Sequence, residues 1–350
     1  MPLAPNRISR DRANFSGTLT AAEIALLLED MELGILQTST QPDELTCRRL
    51  NESLFAQRPE LELRVYDFDG AVCDLSFLKY MGNVRHFSAD CLRRATGLQH
   101  LAGLDQLCSL AIGIGDLPDF EFLQLLSAER LQTLYLGKTV STQADLGTLL
   151  RFGNLRTLYL EEQQQQIELI AGLGRLQDLT LRAVRLERLD FLQAAPRLCL
   201  LDIKQCRIRD WSALHSMQGI KFLELWQIRG LGDLSFISSM QGLQNLFLQA
   251  LGQVKQLPDV SRLRQLRRVY LDTLRNLRDI SALERAPALQ EFIHVADRHW
   301  QPADYEKLLQ LPVLKKACVD FGNQKKNEVL RGMLHQRGLQ EYRYTEFEFH

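Results

Sequence analysis

Two short stretches of this 350-residue chain concentrate side chains that could do chemistry. Residues 65–74, VYDFDGAVCD, place Asp67, Asp69 and Asp74 within eight positions. Residues 294–299, HVADRH, place two histidines around an aspartate, and these residue types bind metal ions. Whether the side chains of either stretch can act together depends on the strands, helices and loops that position them.

The first stretch resembles the nucleophile motif of haloacid dehalogenase-like phosphatases, in which a strand is followed by Asp-x-Asp-Gly and a later aspartate. The resemblance implies that Asp67 is the phosphoryl-accepting nucleophile and Asp69 the general acid, with Gly115-Asp116 as part of a metal motif. That fold also needs a doubly wound sheet around its motifs, and the repeats described next do not supply one. A phosphatase is therefore a remote alternative, and we expect no enzyme.

Apolar residues recur along most of the chain at a spacing that predicts a repeat. Residues 198–219 and 220–242 each open with apolar residues at positions 0, 3 and 5, pass through an Asp-hydrophobic-Ser turn and end in Met-Gln-Gly. Each opening triplet predicts a short strand, and neighbouring strands would join in a parallel sheet that no single repeat could bury alone. The openings lie 21 to 25 residues apart, at Leu63, Val84, Leu107, Leu131, Leu155, Leu176, Leu198, Ile220, Leu243, Leu266, Leu289, Leu314 and Leu339.

This plan resembles the short 22-residue leucine-rich repeats of bacterial internalins and their intracellular relatives, and residues 233–237 and 279–283 carry it best. The resemblance implies an α/β solenoid, a leucine-rich repeat horseshoe with a parallel β-sheet on its concave face and short helical or 3-10 segments on its convex face. One departure concerns the asparagine that the family places at position 8. It is replaced by Cys206, Ile228, Leu251 or Leu274, so we expect no asparagine ladder.

The chain before the repeats predicts a cap on the first strand. Residues 1–16 lack periodicity and predict a flexible tail. Residues 17–62 predict two helices, the first beginning at the capping box of Thr20 and Glu23 and the second running from Pro42 to before Pro59. The predicted buried stripes are Ile24, Leu27, Leu28, Met31 and Ile35, then Cys47, Leu50 and Leu54.

Residues 63–350 are expected to form one continuous solenoid of about thirteen strands. The last strand, with Leu339, Tyr342 and Tyr344 facing inward, would close the C-terminal edge. Because position 5 faces inward, His294 is predicted to be buried while His299 lies on a loop, so we expect no shared metal ion.

The composition is that of a folded protein, with 45% hydrophobic and 24% charged residues. A net charge of −1 disfavours a nucleic-acid or membrane-surface binder, and no stretch is apolar for long enough to be a signal peptide or a membrane span. Seven scattered cysteines without CxxC pairs indicate free thiols in a reducing compartment. We expect a cytoplasmic monomer without a cofactor or a metal.

Positions 2, 4 and 6 of each repeat are predicted to face solvent, because strand side chains alternate between the two faces of a sheet. Aromatic rings among charged residues are typical of binding hot spots, although tall side chains can also merely cover neighbouring strands. The candidate partner-binding residues are Tyr135, Tyr159, Arg182, Asp202, Lys204, Phe222, Glu224, Trp226, Phe247, Tyr270 and Asp272.

The predicted face carries ten acids and four bases over the first twelve repeats, so it favours a basic partner. We therefore expect a non-catalytic protein-binding module that grips a protein in the concave face. The alternative is a cytosolic inhibitor of an enzyme, as in leucine-rich ribonuclease inhibitors, or an immunity protein against a toxin.

Overall fold

The computed structural model of the protein describes residues 6–67, 70–91, 93–141, 145–163, 165–344 and 347–349. The chain divides into two compact units, Met1–Leu176 and Gln177–His350, a boundary that falls inside the region predicted as one continuous solenoid. Both units repeat a short strand, a tight turn and a short helical segment that returns the chain to the next strand.

The described part of the first unit contains ten strands. Eight form the main sheet in the order β1-β2-β3-β4-β6-β8-β9-β10; β1 and β2 are antiparallel, and the later strands are parallel to their neighbours. The strands β5 and β7 pair separately, in parallel. The bounds are β1 Asn6–Ser9, β2 Arg12–Asn14, β3 Ile35–Thr38, β4 Glu62–Asp67, β5 Val72–Asp74, β6 His86–Cys91, β7 Arg94–Thr96, β8 Ser109–Ile114, β9 Thr133–Leu136 and β10 Thr157–Glu161.

The residues described in the second unit also form ten strands. Eight form a parallel sheet in the order β11-β13-β15-β16-β17-β18-β19-β20, while β12 and β14 pair separately. The bounds are β11 Asp178–Arg182, β12 Arg185–Leu186, β13 Leu200–Lys204, β14 Arg207–Ile208, β15 Phe222–Trp226, β16 Asn245–Gln249, β17 Arg268–Asp272, β18 Glu291–Val295, β19 Lys316–Asp320 and β20 Gln340–Glu341.

Positions 0, 3 and 5 of the repeats form the core, as the apolar spacing predicts. In one repeat Leu198, Leu201 and Ile203 are all buried, and the register places Leu201 beside Leu223 of the next strand. Each inward leucine therefore packs against its equivalents in adjacent repeats, and this burial supplies most of the stabilisation.

In the second unit, the turns after β11, β13, β15, β16, β17 and β18 are closed by the next repeat rather than by an asparagine. Position 7 adopts a left-handed backbone, with φ of 55° at Gln205 and 52° at Ala250. The backbone N–H of Gln205 donates to Trp226 O at 2.8 Å, and that of Ala250 donates to Asp272 O at 2.9 Å. The apolar residues at position 8 are buried: Cys206, Ile228, Leu251 and Leu274.

The Asp-hydrophobic-Ser triplets form the predicted turns. The carboxylates of Asp210, Asp233 and Asp279 each accept the backbone N–H two residues later at 2.8 Å. A short 3-10 segment then follows. These segments are Ser76–Tyr80, Leu98–Gly103, Glu121–Leu125, Leu146–Arg151, Ile167–Gly172, Asp190–Ala194, Ser212–Ser216, Ser235–Ser239, Ser281–Arg285, Pro302–Tyr305 and Leu308–Gln310.

The described residues include three α-helices: α1 Ala21–Glu29, α2 Glu44–Arg49 and α3 Gln324–Gln336. The predicted capping box of Thr20 and Glu23 begins α1, and a π-helical turn, Leu50–Phe55, continues α2. The predicted stripe of α1 is too long: because the helix ends at Glu29, Met31 is 77% exposed and Ile35 belongs to β3.

The prediction that residues 1–16 form a flexible tail is wrong for residues 6–14. They form the antiparallel hairpin β1–β2, and β2 pairs in parallel with β3. Ala13 and Phe15 are buried. The hairpin satisfies the edge of the parallel sheet, so the cap consists of strands as well as helices.

The first repeat has a different register from the one predicted. Leu63 pairs with Phe87, so it occupies position 3 rather than position 0. Leu61 takes the opening position, since its N–H donates to Arg58 O as the N–H of Val84 donates to Met81 O. The link between the opening residue and the strand is one residue shorter here, and this shift decides where the side chains of β4 point.

The C-terminal edge also differs from the prediction. Tyr344 is 86% exposed, and β20 contains only two exposed residues, which pair with the beginning of β19. The inward strand predicted at Leu339, Tyr342 and Tyr344 is therefore wrong, and the chain after β20 turns onto the face of its own sheet.

Candidate binding surface

The outward face of the first unit carries a pair of stacked tyrosines. Tyr135 on β9 and Tyr159 on β10 occupy position 4 of adjacent strands and are register partners. Their ring centroids lie 5.6 Å apart with an interplanar angle of 24°. The Tyr159 hydroxyl donates to Glu161 at 3.1 Å, and Tyr135 is 40% exposed. Parallel pairing thus holds one ring as support and presents the other to solvent.

A hollow of about 670 Å³ lies beside these rings. Its floor is open because Ala111, Gly113 and Gly137 have little or no side chain. A Cβ atom at Gly137 would lie 3.2 Å from Ile112 O and from Gly113 Cα, so a larger residue there would push the neighbouring strand away by a few tenths of an ångström. The sequence signal was a run of small residues at positions 4 and 6 of consecutive repeats, which the sequence analysis did not use.

One side of the hollow is charged. The guanidinium of Arg64 lies 2.7 Å from the Asp90 carboxylate and donates to Gln37 at 2.8 Å. The shifted register of β4 explains this contact, because it places Arg64 beside Ser88 and Tyr66 beside Asp90. The hollow therefore combines an apolar floor, an exposed tyrosine ring and an ion pair.

The second unit carries a compact ion cluster on its outward face. Lys204 Nζ lies 2.8 Å from Asp202 and 3.2 Å from Glu224. Burial raises the pKa of both carboxyl groups, and the neighbouring Asp202 charge adds to the rise in the pKa of Glu224. Since one lysine serves both acids, these charges are largely neutralised within the cluster.

Trp226 stands at the end of β15 between two cations. Arg182 lies 6.0 Å and Lys204 5.8 Å from the ring centroid, and both are close enough for cation–π attraction. Arg182 also donates to Gln205 at 3.2 Å. The ring is half-buried and its orientation is fixed from both sides.

A second stacked pair lies on the next strands. Phe247 and Tyr270 are register partners on β16 and β17, with ring centroids 4.4 Å apart and an interplanar angle of 15°. Gln249 donates to Asp272 at 2.8 Å beside them. Burial raises the pKa of the Tyr270 hydroxyl, with Asp272 as the next cause.

Residues 342–344 and 347–349, which we call the C-terminal segment, lie on the same face. The Phe349 ring meets the Phe222 ring edge-on, with centroids 6.3 Å apart. Phe347 lies 4.8 Å from the guanidinium of Arg267 and 4.9 Å from that of Arg268. These contacts were not predicted from the sequence, and they cover Phe222, one of the candidate binding residues.

The structure thus separates the eleven candidate residues into two sets. Tyr135 and Tyr159 belong to the first unit, and the other nine lie on five neighbouring strands of the second. Asp67, which the predicted register placed on the outward face, is only 8% exposed and points inward from β4, while Asp69 lies outside the described residues.

The charge of the face changes with this correction. Positions 2, 4 and 6 of the first unit carry Glu62, Asp90 and Glu161 against Arg64, when β4 is counted in its observed register. The same positions of the second unit carry six acids and four bases: Asp178, Asp202, Glu224, Asp272, Glu291 and Asp320 against Arg182, Lys204, Arg268 and Lys316. Each face therefore keeps an excess of two acids.

The remaining chemical candidates have structural roles. Asp74 accepts the Ser76 N–H at 2.9 Å, which is the turn expected of the repeat. His294 is buried with its Nδ1 2.8 Å from the Tyr305 hydroxyl, and burial lowers its pKa to about 3. His299 Nε2 lies 3.0 Å from Leu277 O. Among the described residues, no group of three or more His, Cys, Asp or Glu side chains is arranged to hold a metal ion.

Comparisons with known proteins bear on the fold. No protein-family model matches the chain, and no match was found among the curated proteins. An internalin, InlF of Listeria monocytogenes, is 15% identical over 94% of this chain and 90% of its own, with a TM-score of 0.49. A leucine-rich repeat protein of Leptospira interrogans is 15% identical over 93% of this chain and 92% of its own, with a TM-score of 0.46.

A second internalin, InlC2 of Listeria monocytogenes, is 19% identical over 63% of this chain and 83% of its own, with a TM-score of 0.40. Within the described ranges, no helix has the length and apolar character needed to cross a membrane. The recurring strand register and the Asp-hydrophobic-Ser turns give each unit the fold of a leucine-rich repeat array.

Proposed function

We propose that this protein is a non-catalytic protein-binding module whose partner contacts the outward sheet faces of the two units. The observation that carries the proposal is the set of rings held in register at positions 4 and 6. Tyr135 rests on Tyr159, Phe247 rests on Tyr270, and Trp226 stands between two cations. Rigid, partly exposed aromatic rings lose little conformational entropy on binding and are typical anchors of protein interfaces.

The alternative, that the rings only cover neighbouring strands, explains part of this geometry. Stacked pairs on adjacent strands do stabilise a sheet. However, Tyr135 keeps 40% of its surface exposed beside the hollow at Gly113 and Gly137. An exposed ring next to a hollow is a better fit to a partner side chain than to a sheet cover.

We further propose a basic partner in a reducing cytoplasm. The acid excess of two on each face would favour encounter with a basic surface, although internal ion pairs make the steering weaker than the sequence alone predicts. All seven cysteines are free thiols, in keeping with such a compartment.

Affinity capture with matched variants tests the proposal. Immobilised wild-type protein should retain a partner that Tyr135→Ala and Trp226→Ala each weaken by about 2 kcal/mol or more. His215→Ala, which removes an exposed ring from the 3-10 segment on the other side of the repeat, is the control. Raising the salt concentration should slow association more than it speeds dissociation.

Loss of capture with His215→Ala but not with either face variant would place the partner on the opposite side. Assays of the recovered partner with and without the protein would show whether binding inhibits an enzyme.

A further inference from the structure

The C-terminal segment occupies part of the second unit's face in a way that resembles a bound peptide. Its contacts begin at Tyr342, which lies 5.2 Å from the Arg268 guanidinium, and end at Phe349 on Phe222. Phe222 is on β15 and Arg268 on β17, so the segment crosses the sheet near the beginning of its strands.

The crossing uses two rings spaced two residues apart. In an extended chain, residues at this spacing point to the same side. Phe347 packs on the guanidinium groups of Arg267 and Arg268, and Phe349 packs on Phe222, while the two phenylalanine rings meet each other at 5.5 Å. The site therefore binds two aromatic side chains that are separated by one residue.

The middle residue of that pattern is held by its backbone. Arg267 Nη2 donates to Glu348 O at 2.6 Å and to the Gln244 side chain at 2.8 Å. Within the described residues, Arg267 has no carboxylate partner, whereas Arg268 pairs with Glu291 at 2.6 Å. The Arg267 guanidinium beside the segment favours acidic residues, and residues 342–350 read YRYTEFEFH, with glutamate alternating with phenylalanine at 346–349.

The segment is held at the surface rather than in the core. Tyr344 is 86% and Phe349 38% exposed, whereas the residues at positions 3 and 5 beneath them are almost fully buried. Few apolar contacts and an exposed backbone are the properties of a part that opens without unfolding the sheet.

We propose that Phe222, Arg267 and Arg268 form a binding site for an extended peptide of alternating aromatic and acidic residues, and that the C-terminal segment occupies it as an internal competitor. The inference rests on the proposed function and names a ligand class for one part of the face. A partner carrying such a peptide displaces the segment, and the segment sets a threshold that the partner must exceed. A tether of this kind acts at an effective concentration on the order of millimolar.

A peptide titration of the full chain tests the site. The probe is a synthetic peptide with the sequence YRYTEFEFH, and the control peptide carries alanine in place of both phenylalanines. The protein variant Phe347→Ala with Phe349→Ala empties the site without touching a core position. Saturation-transfer NMR on the peptide ring protons detects binding in the millimolar range.

We expect the double variant to bind the probe at least about tenfold more tightly than the wild type does, because the internal competitor is removed. Adding Arg267→Ala to the double variant should weaken binding by about fivefold or more, since it removes both the cation and the donor to the peptide backbone. The control peptide should bind neither protein.

Three results would overturn the proposal: equal binding of the probe to wild type and double variant, equal binding of probe and control peptide, or no binding of the probe to the double variant at millimolar concentration. Unchanged circular dichroism of the variants verifies that the sheet is intact. If the peptide fails while Trp226→Ala still abolishes partner capture, this site is wrong and the proposed function stands.

Discussion

Left-handed backbone recurs at one position of the repeat, and no glycine occupies it in the second unit. Ala183, Gln205, Gln227, Ala250 and Thr273 all have φ between 52° and 55°. For a residue with a Cβ atom this conformation costs about 1–2 kcal/mol, and glycine avoids that cost. The left-handed conformation recurs in spite of its energetic cost, because it directs the backbone N–H at position 7 toward the next strand.

We predict that Ala250→Gly stabilises the protein by about 0.5–1 kcal/mol, since relief of the left-handed strain exceeds the added entropy of glycine in the unfolded chain. Chemical denaturation measures the change. Ala282→Gly in the 3-10 segment Ser281–Arg285, which has no positive φ, is the control and should destabilise by a similar amount. Destabilisation by both variants would mean that the turn at Ala250 is not strained.

The buried side chain of His294 makes the free energy of unfolding depend on pH. His294 has an ordinary pKa of 6.5 when unfolded, and burial lowers it to about 3 in the folded protein. Below pH 6.5 the unfolded chain therefore binds a proton that the folded chain does not, so stability is lost as pH falls from 6.5 towards 3.

We predict that this one residue contributes a slope of up to about 1.4 kcal/mol per pH unit in that range. Replacing it together with its partner, as His294→Leu with Tyr305→Phe, should remove that part of the slope without leaving a buried hydroxyl unpaired. The single variant His294→Leu should be less stable than the double variant by about 1–3 kcal/mol. An unchanged slope in the double variant would show that His294 titrates normally.

At the scale of elements, the N-terminal hairpin is the largest departure from expectation. Residues 7–15 have no apolar periodicity, because Ala13 and Phe15 alone among them reach the core, while β1 and β2 pair through their backbones. Backbone pairing at a sheet edge is set by what the neighbouring strand leaves unpaired, and a sequence pattern does not report it.

Phe15→Ala tests the hairpin. We expect a loss of about 3 kcal/mol, since Phe15 is 2% exposed and its N–H donates to Gln37 O at 2.9 Å. Ile8→Ala on β1 is the control, because Ile8 is 55% exposed, and it should change stability by less than about 0.5 kcal/mol. Thermal unfolding of both variants measures the difference. An unfolding midpoint of Phe15→Ala equal to that of the wild type would contradict the hairpin and support the prediction of a flexible tail.

Strands, Asp-hydrophobic-Ser turns and inward leucines were predictable because each follows from a local spacing. The register of β4 was not, since Leu61 and Leu63 both suit the opening position and only the turn bond from Leu61 to Arg58 decides between them. That ambiguity placed Asp67 on the wrong face. The candidate rings at positions 4 and 6 were predictable from alternation, but their stacking and the ion pairs of Lys204 depend on neighbouring strands.

At the scale of the whole molecule, one complete repeat is the length of chain that can be removed without changing the strand register. Strand β13 pairs with β15 in the same register in which β15 pairs with β16. Excision of residues 220–242 would therefore bring β13 directly against β16 with every inward position preserved.

We predict that the chain lacking residues 220–242 folds, with native-like circular dichroism and a lower unfolding midpoint. Excision of 220–238 is the control: it leaves four surplus residues before the next opening leucine, displaces the inward positions and should give an aggregated product. Equal behaviour of the two chains would show that the register is not set by repeat length.

The turn hydrogen bonds of the second unit also set the order in which its turns are completed during synthesis. In the second unit the N–H of Gln205 donates to Trp226 O and that of Ala250 to Asp272 O, so each of these turns is completed by residues roughly one repeat further along. During synthesis, the repeat of the second unit that was made last has a turn N–H without its protein acceptor. Water hydrates that N–H until the next repeat has been made. In the second unit the turns therefore close one repeat behind the growing end of the chain.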